Sequence, residues 1–271
     1  KELKLLICGN TFVSGEHGLF VKEKQDKEAV IKELVNSIAY FVNANKKLKK
    51  QIDAFLLKDF VQESLAITDV LKEFSYHAFS VEPNMQLQLQ ENWKHFDDYL
   101  ASVKTKFRVK ARKAFTLSKN IRIEEVDLKN IAQMLPKMTA LYERVAENAT
   151  FNLGVFNLNT YQSLKEKFGA SYILKTYWIE AEIIGFVSGV VNGNTLDAHF
   201  VGIDYKLNKS HAIYQRMLYD YIEIAIRKNL KTINFGRTAS EIKSAVGAVP
   251  QDLTIYIRHK KTIKNKILKL F

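Results

Sequence analysis

The chain has 271 residues, of which 47% are apolar and 11% aromatic. That much apolar surface can offset the entropy lost on folding, so a disordered tail, a collagen-like fibre and a coiled-coil rod are excluded. Lysine and arginine number 41 against 29 acidic residues, a formal net charge of +12. This charge predicts an anionic partner, either a phosphate-rich small molecule, a nucleic acid or an anionic membrane surface.

Cysteine usage and hydropathy point to the cytoplasm. The single cysteine, Cys8, permits no internal disulfide, so folding requires no oxidising compartment. No apolar run approaches the roughly 18 residues of a membrane span, and the N-terminus shows no signal-peptide cleavage pattern. We expect a cytoplasmic protein, with peripheral contact at the inner membrane face as an alternative.

The first third of the chain reads as alternating strands and helices. A short strand is predicted over 3–8, a helix over 27–45, and further strands over 52–57 and 77–81. A long helix is then predicted from Asn92, with one apolar stripe at spacings of three and four: Trp93, Phe96, Leu100, Val103, Phe107, Ala111 and Ala114. An α/β arrangement follows from this pattern.

The other face of this long helix is basic. Six cations and no acidic residue occur between its residues 104 and 113: Lys104, Lys106, Arg108, Lys110, Arg112 and Lys113. Such a face repels itself unless an anion neutralises it. It is either a solvated helix face or a wall that faces an anionic ligand.

The second half of the chain predicts an antiparallel meander followed by alternating helices and strands. After a strand over 121–126 and a helix over 128–148, interrupted or kinked at Pro136, three strands are expected over 171–178, 183–191 and 195–201. The remaining elements, in order, are a helix over 212–229, a strand over 232–235, a short helix over 240–246 and a strand over 253–258.

This order resembles the acyl-CoA N-acyltransferase fold of the GNAT superfamily, and two segments sharpen the resemblance. Segment 234–248, NFGRTASEIKSAVGA, is similar to the strand, Gly-Arg turn, lysine-bearing helix and glycine of FemAB-like, peptidoglycan-recognition-type relatives. The other segment is the helix that carries Trp93, Phe96, Tyr99, Leu100, Lys106, Arg108 and Arg112.

The resemblance implies an α/β (α+β) protein with a mixed, mostly antiparallel sheet flanked by helices. It implies a degenerate GNAT-like half over 1–91, a better formed acyltransferase domain over 92–258, and a basic C-terminal tail over 259–271. It also implies an N-acyltransferase that moves an acyl or aminoacyl group from a CoA or tRNA carrier to an amine by direct attack. The alternative is a catalytically silent GNAT-like module that binds nucleic acid or anionic lipid.

Proton handling is assigned to the third strand of the meander and the helix after it. Asp197, His199 and Val201 are predicted to share one face of the strand, with Leu196, Ala198 and Phe200 on the other. Asp197 and His199 could relay a proton, and Tyr214 could protonate a leaving group. Alternatively, the two strand residues face solvent or satisfy a core hydrogen bond. A V-shaped parting of strands beside Asp197 would favour transfer chemistry.

The segment 202–211 is predicted to be a donor-binding loop. GNAT enzymes place a glycine-rich turn there, which presents backbone N–H groups to the CoA pyrophosphate at a helix N-terminus. No glycine follows Gly202 here, although Lys206 and Lys209 supply charge and Ser210 could cap the next helix. The GNAT resemblance implies acyl-CoA, such as acetyl-CoA, as one donor. FemAB-like relatives use aminoacyl-tRNA, which a basic chain also suits.

Arg237, Glu241 and Lys243 are predicted to bind substrate. Arg237 follows a strand end, where its guanidinium could grip a carboxylate or phosphate, and the other two fall on the next short helix. An internal Arg237–Glu241 ion pair is the alternative. The acceptor is expected to be a small-molecule or peptide amine, and no obligate protein partner is evident.

The histidine spacing and the C-terminal tail are two further patterns in the sequence. The six histidines show no metal-ligand spacing, so no metal site is expected. The tail 259–271 places Ile263, Ile267 and Leu270 on one side and lysines on the rest. This is typical of a basic amphipathic helix, which either docks on a membrane surface or packs on its own domain.

Overall fold

A computed structural model describes residues 3–149 and 154–268 of the chain. It divides the chain into two compact units: unit 1 is Lys1–Asn84 with Gln251–Phe271, and unit 2 is Met85–Pro250. These bounds differ from the boundaries expected after residues 91 and 258. The physical reason is that a C-terminal strand pairs into the sheet of unit 1, and such long-range pairing leaves no mark in local composition.

The structure contains eleven strands and eleven α-helices in the described residues. The strands are β1 Leu5–Cys8, β2 Ala54–Phe60, β3 His77–Ser80, β4 Asn84–Gln88, β5 Arg122–Glu125, β6 Tyr172–Ile179, β7 Glu182–Asn192, β8 Thr195–Ile203, β9 Thr232–Asn234, β10 Val249–Gln251 and β11 Thr254–His259. The helices are α1 Lys27–Ala44, α2 Lys46–Gln51, α3 Leu65–Thr68, α4 Phe96–Ser102, α5 Thr105–Leu117, α6 Leu128–Glu147, α7 Thr160–Phe168, α8 Tyr205–His211, α9 Ile213–Arg227, α10 Ser240–Ala245 and α11 Thr262–Leu268.

Unit 1 is built on a four-stranded sheet in the order β1-β2-β11-β3. β1 and β2 are parallel, and β11 pairs antiparallel with both β2 and β3. Helix α1 begins where the Asp26 side chain accepts a hydrogen bond from the Ala29 N–H, and it buries Ile31 and Val35 in the core of the unit. The GNAT-like character expected of this half stays a prediction.

Unit 2 is built on a seven-stranded sheet in the order β10-β4-β9-β8-β7-β6-β5. Its meander β6-β7-β8 is antiparallel, as the Asn192-Gly193-Asn194 turn predicts, and β8 and β9 are parallel. One face of the sheet packs under α9 and α5, and the other packs under α6 and α7. The expected mixed, mostly antiparallel sheet between helices is confirmed.

Several element predictions need correction. The long helix from Asn92 is two helices, α4 and α5, because Val103 and Lys104 are extended, although the apolar stripe runs on across the break. Pro136 does not divide α6, which is one helix of 20 residues. The predicted loop over 202–211 contains helix α8, whereas β4, β10 and α7 were not predicted at all.

No helix among the described residues has both the length and the apolar composition to span a bilayer. The predicted C-terminal helix forms only as α11, and Leu270 of its expected apolar side lies outside the described residues.

Candidate active site

The parallel strands β8 and β9 part beside Asp197. Their register ends at the pair Asp197 and Asn234, where β9 stops, while β8 continues to Ile203. From residue 198 onward, the edge of β8 that paired with β9 has no strand partner in this register. Carboxyl ends of parallel strands are a common place for a binding site, because the backbone leaves the sheet there and opens a crevice.

Asp197 is held at the start of this parting. It is 7% exposed, and its Oδ1 accepts a hydrogen bond from the Asn234 Nδ2 at 2.9 Å. The Asn234 Oδ1 in turn accepts from the Gly236 N–H at 3.1 Å, so one amide side chain joins the carboxylate to the turn after β9. Asn234 was not among the predicted site residues. Its position at the end of a strand next to the Gly-Arg turn was the available signal.

A β-bulge in β8 changes the predicted faces of the strand. Val187 pairs with Val201 and Gly189 with Ala198, so β8 has one more residue than β7 across this interval. Phe200 consequently packs on the face of α6, and Val201 packs on the face of α9. The expectation that Val201 shares the face of Asp197, with Phe200 opposite, is wrong because it assumed strict two-residue alternation.

The Ser188 side chain stabilises this bulge. Its Oγ accepts from the Phe200 N–H at 3.0 Å and lies 3.1 Å from the Phe200 carbonyl oxygen, to which it can donate. Tyr161 and Tyr221 also hold Ser188: the Tyr161 hydroxyl lies 3.0 Å from its Oγ, and the Tyr221 hydroxyl donates to its carbonyl at 2.6 Å. A single serine thus replaces ladder bonds that the bulge removes.

His199 lies in an aromatic environment and presents one unused nitrogen. Its ring centroid is 4.2 Å from that of Phe200 and 4.9 Å from that of Phe156, which lies in the connection between α6 and α7. Its Nδ1 is buried and has no hydrogen-bond partner among the described residues. Burial lowers the pKa of His199 to about 4, so the imidazole is neutral at pH 7 and can accept a hydrogen bond.

This lowered pKa predicts a pH dependence of stability. An unfolded histidine takes up its proton near pH 6.5, but folded His199 does so only near pH 4. Between these values the unfolded state binds more protons, so the free energy of unfolding should fall as the pH drops, by up to about 3 kcal/mol. This pH dependence is measured by urea unfolding of the wild type and of His199→Gln at pH values from 7 down to 4.

The difference between the two unfolding curves isolates His199, because both proteins share every other titrating group. The wild type should lose more stability than His199→Gln over this interval. Parallel curves would show that His199 is protonated as easily in the folded chain as in the unfolded one.

Tyr214 lies on the first turn of α9, which covers the other face of the sheet from Asp197 and His199. Burial raises the pKa of its hydroxyl to about 12, so the group is protonated at pH 7 and able to donate. The Tyr214 N–H donates to the Asn208 Oδ1 at 2.9 Å. The three residues assigned to proton handling therefore lie on two sides of one sheet.

Lys206, Lys209 and Ser210 lie on α8 and are exposed. The cap of α8 is Asp204, whose Oδ1 accepts from the Lys206 N–H at 2.9 Å. Ser210 does not cap α9, contrary to the prediction, because its hydroxyl donates to the Leu207 carbonyl in the last turn of α8.

The basic face predicted for the long helix lies on α5, which packs against both α8 and α9. Five of its cations are exposed: Lys104, Lys106, Lys110, Arg112 and Lys113. None of these five, nor Lys206 or Lys209, forms an ion pair with the part of the chain that the structure describes. The two cationic helices thus make one surface, here called the α5/α8 basic surface.

The turn that carries Arg237 is held from beneath by Lys243. The Lys243 side chain is 4% exposed, and its Nζ donates to the carbonyls of Gly236 at 3.2 Å and Arg237 at 2.6 Å. The turn includes two non-glycine residues at positive φ, Thr238 at 66° and Ala239 at 48°. Such backbone persists only where its surroundings hold it.

The three residues assigned to substrate binding therefore differ in their positions. Arg237 is half-buried at the turn, beside the parting of β8 and β9, whereas Glu241 is exposed on α10 and forms no ion pair within the described residues. The alternative of an Arg237–Glu241 pair is thus not formed. Lys243 binds backbone carbonyls, so its direct effect is on the shape of the turn.

No group of three or more histidine, cysteine or acidic side chains among the described residues is placed to hold a metal ion. The candidate site comprises Asp197, Asn234 and His199 on one face of the sheet, Tyr214 on the other, and the Arg237 turn at the strand ends.

Comparison with known proteins agrees with this architecture. A FemAB-like family model, described as peptidoglycan biosynthesis/recognition, matches residues 5–268. FemX superposes with a TM-score of 0.63 at 12% identity, covering 98% of this chain and 83% of that one. L-PGS from Bacillus licheniformis superposes with a TM-score of 0.60 at 13% identity, covering 100% and 82%.

A GCN5-related N-acetyltransferase from Sphaerobacter thermophilus superposes with a TM-score of 0.52 at 10% identity, covering 85% of this chain and 68% of that one. At such low identities these structures show the fold alone. No curated protein matches the chain. The predicted resemblance is confirmed by the family match and by the fold: the chain belongs to the FemAB-like family and has the GNAT fold.

Proposed function

We propose that the protein transfers an aminoacyl group from aminoacyl-tRNA to an amine by direct attack at the parting of β8 and β9. The acceptor is a primary amine of a peptide or small molecule. The choice of tRNA over CoA rests on two backbone amides after β8, those of Lys206 in α8 and Tyr214 in α9, which are already bonded to side chains.

A CoA pyrophosphate needs unpaired amides at the start of the helix that follows β8. Here the Lys206 N–H is bonded to the Asp204 carboxylate, and the Tyr214 N–H is bonded to the Asn208 side chain. The capping carboxylate also places a negative charge where the pyrophosphate would lie, which is repulsive. The cradle for CoA is therefore poor on both geometry and charge.

The α5/α8 basic surface suits a longer polyanion. Its exposed cations have no acidic partners among the described residues, so binding a phosphate backbone would relieve their mutual repulsion. A folded RNA offers many phosphates over such a surface, whereas CoA offers three. This supports tRNA as the carrier of the aminoacyl group.

The chemistry needs little beyond positioning and proton transfer. The amine nitrogen attacks the carbonyl carbon of the aminoacyl ester; a C–N bond forms, the C–O bond to the ribose breaks, and one proton passes from nitrogen to the leaving oxygen. Neutral His199 accepts a hydrogen bond from the amine through Nδ1, and the nearby Asp197 carboxylate stabilises positive charge on the nitrogen. Tyr214 is protonated and lies on the α9 side of the sheet, so in this proposal it donates to the leaving oxygen through the parting of β8 and β9.

The test is a transfer assay with the full chain. tRNA charged with a mixture of radiolabelled amino acids is the donor, and a lysine-containing peptide is the acceptor; labelled acetyl-CoA replaces the charged tRNA in a parallel reaction. We expect the peptide to gain label from tRNA and none from acetyl-CoA. Transfer from acetyl-CoA alone, or from neither donor, would contradict the proposal.

The α5/α8 basic surface is tested by Lys106→Glu combined with Lys110→Glu. Loss of phosphate contacts should raise the KM for aminoacyl-tRNA by about tenfold or more and leave kcat nearly unchanged. The matched control is Lys129→Glu combined with Lys231→Glu, two exposed lysines elsewhere in unit 2. An equal rise in KM for both pairs would mean that net charge, and not this surface, determines binding.

A further inference from the structure

Helix α11 packs onto unit 1 through a polar residue. Asn265 is 7% exposed; its side chain accepts from the His259 N–H at 2.7 Å and donates to the Ser75 carbonyl at 2.8 Å. The apolar residues of the helix are outside: Ile263 is 77% exposed and Ile267 is 48% exposed. The amphipathic pattern of this helix is thus inverted relative to one that packs on its own domain.

Exposed lysines lie on α11 and on a second element, α2, which Lys260 connects to the start of the α11 segment. Lys261, Lys264 and Lys266 belong to or precede α11, and Lys46, Lys47, Lys49 and Lys50 belong to α2. The elements are joined by Lys260, whose Nζ donates to the carbonyls of Lys49 at 3.1 Å and Lys50 at 3.4 Å. Lys260 itself lies 3.8 Å from the Asp53 carboxylate.

The exposed lysines on this surface are not neutralised by the protein. Within residues 3–149 and 154–268, none of the exposed lysines of α2 and α11 forms an ion pair. The acidic group beside these lysines is Asp53, which lies 3.8 Å from Lys260 and interacts electrostatically with Lys264. The seven exposed lysines outnumber this carboxylate. The surface therefore combines uncompensated positive charge with two exposed aliphatic side chains.

This combination fits an anionic bilayer better than a nucleic acid. Lysines are attracted to anionic headgroups, and aliphatic side chains leave water for the boundary between headgroups and acyl chains. The lysines could also bind the phosphates of a nucleic acid. Proteins contact unpaired bases through aromatic side chains, however, and exposed isoleucines add little to such binding.

We infer that α11 and α2 dock unit 1 on an anionic phospholipid surface, with Ile263 and Ile267 inserted below the headgroup phosphates and the lysines of both helices lying against them. This docking surface belongs to unit 1, whereas the α5/α8 basic surface belongs to unit 2, and the inference does not depend on the proposed function.

The test is co-sedimentation of the full chain with vesicles of phosphatidylcholine, with and without phosphatidylglycerol. We expect binding only to the anionic vesicles. Lys264→Glu combined with Lys266→Glu should lower the partition coefficient about tenfold or more, and Ile263→Ser combined with Ile267→Ser should lower it about threefold to tenfold. The control pair Lys129→Glu and Lys231→Glu carries the same charge change and should alter it less than about twofold.

The variants replace exposed side chains and leave Asn265 intact, so unchanged melting temperatures are expected and are measured alongside. Equal binding to neutral and anionic vesicles would overturn the inference, as would equal losses from the α11 pair and the control pair. Loss of tRNA binding with vesicle binding retained would identify a nucleic-acid surface instead. None of these outcomes bears on which donor the transfer reaction uses.

Discussion

His199→Gln should lower the rate of aminoacyl transfer by about 10²- to 10⁴-fold, the usual contribution of a positioned proton acceptor. Glutamine is close in size and polar, but its amide is a far weaker base than an imidazole held neutral by burial. The measurement is single-turnover transfer of label from charged tRNA to the lysine-containing peptide at saturating enzyme, which reports the chemical step and not the binding of tRNA.

The matched control is His77→Gln in unit 1, which should transfer at the rate of the wild type. Asp197→Asn should also be slow, because it removes the charge next to the amine but keeps the amide contact to Asn234 possible. A His199→Gln protein that transfers within about threefold of the wild-type rate would remove His199 from the reaction and leave it an aromatic-packed core residue.

Lys243→Met should destabilise unit 2 by about 2–4 kcal/mol, because a buried ammonium that donates to two carbonyls is replaced by a side chain of similar length with no donor. Gly236 keeps one partner, since its carbonyl also accepts from the Met85 N–H at 3.0 Å. The main loss falls on the Arg237 carbonyl and on the two positive-φ residues that follow it. Urea unfolding at pH 7 measures the change.

Ser244→Ala is the control, because Ser244 is exposed on the same helix and its substitution should change the free energy of unfolding by less than about 0.5 kcal/mol. Because Lys243 holds the turn that carries Arg237, Lys243→Met should displace Arg237 and so raise the KM for the acceptor as well. An unfolding curve that matches the wild type would show that the turn keeps its shape without the buried ammonium.

The strands of the unit 2 meander could be predicted from local sequence. Strands β6, β7 and β8 were predicted to within about two residues, because a β-rich segment bounded by an Asn-Gly turn has few other ways to satisfy its backbone. The Gly-Arg turn and its lysine-bearing helix were also found, since glycine and the helix pattern mark them locally.

The bulge in β8 and the side-chain bonds to the amides after it were not predicted, for one physical reason. The bulge in β8 depends on Ser188 of the neighbouring strand, and the amides after β8 are occupied by Asp204 and Asn208 side chains. A side chain that satisfies a backbone group several residues away leaves no periodic signal. Asn234 had a local signal, its place at the end of a strand before the Gly-Arg turn, but its contact with Asp197 depends on the pairing of β8 with β9.

The amino-acid sequence by itself determined the fold class, the family resemblance and the positive charge, and it supplied the candidate residues for proton transfer, because propensity, periodicity and turn chemistry act over a few neighbouring positions. Tertiary structure alone decided that β11 joins unit 1, that Asp197 and His199 lie across the sheet from Tyr214, and that α11 turns its isoleucines outward. Those outcomes depend on pairings and packing between segments far apart in the chain, whose free energies no local pattern records.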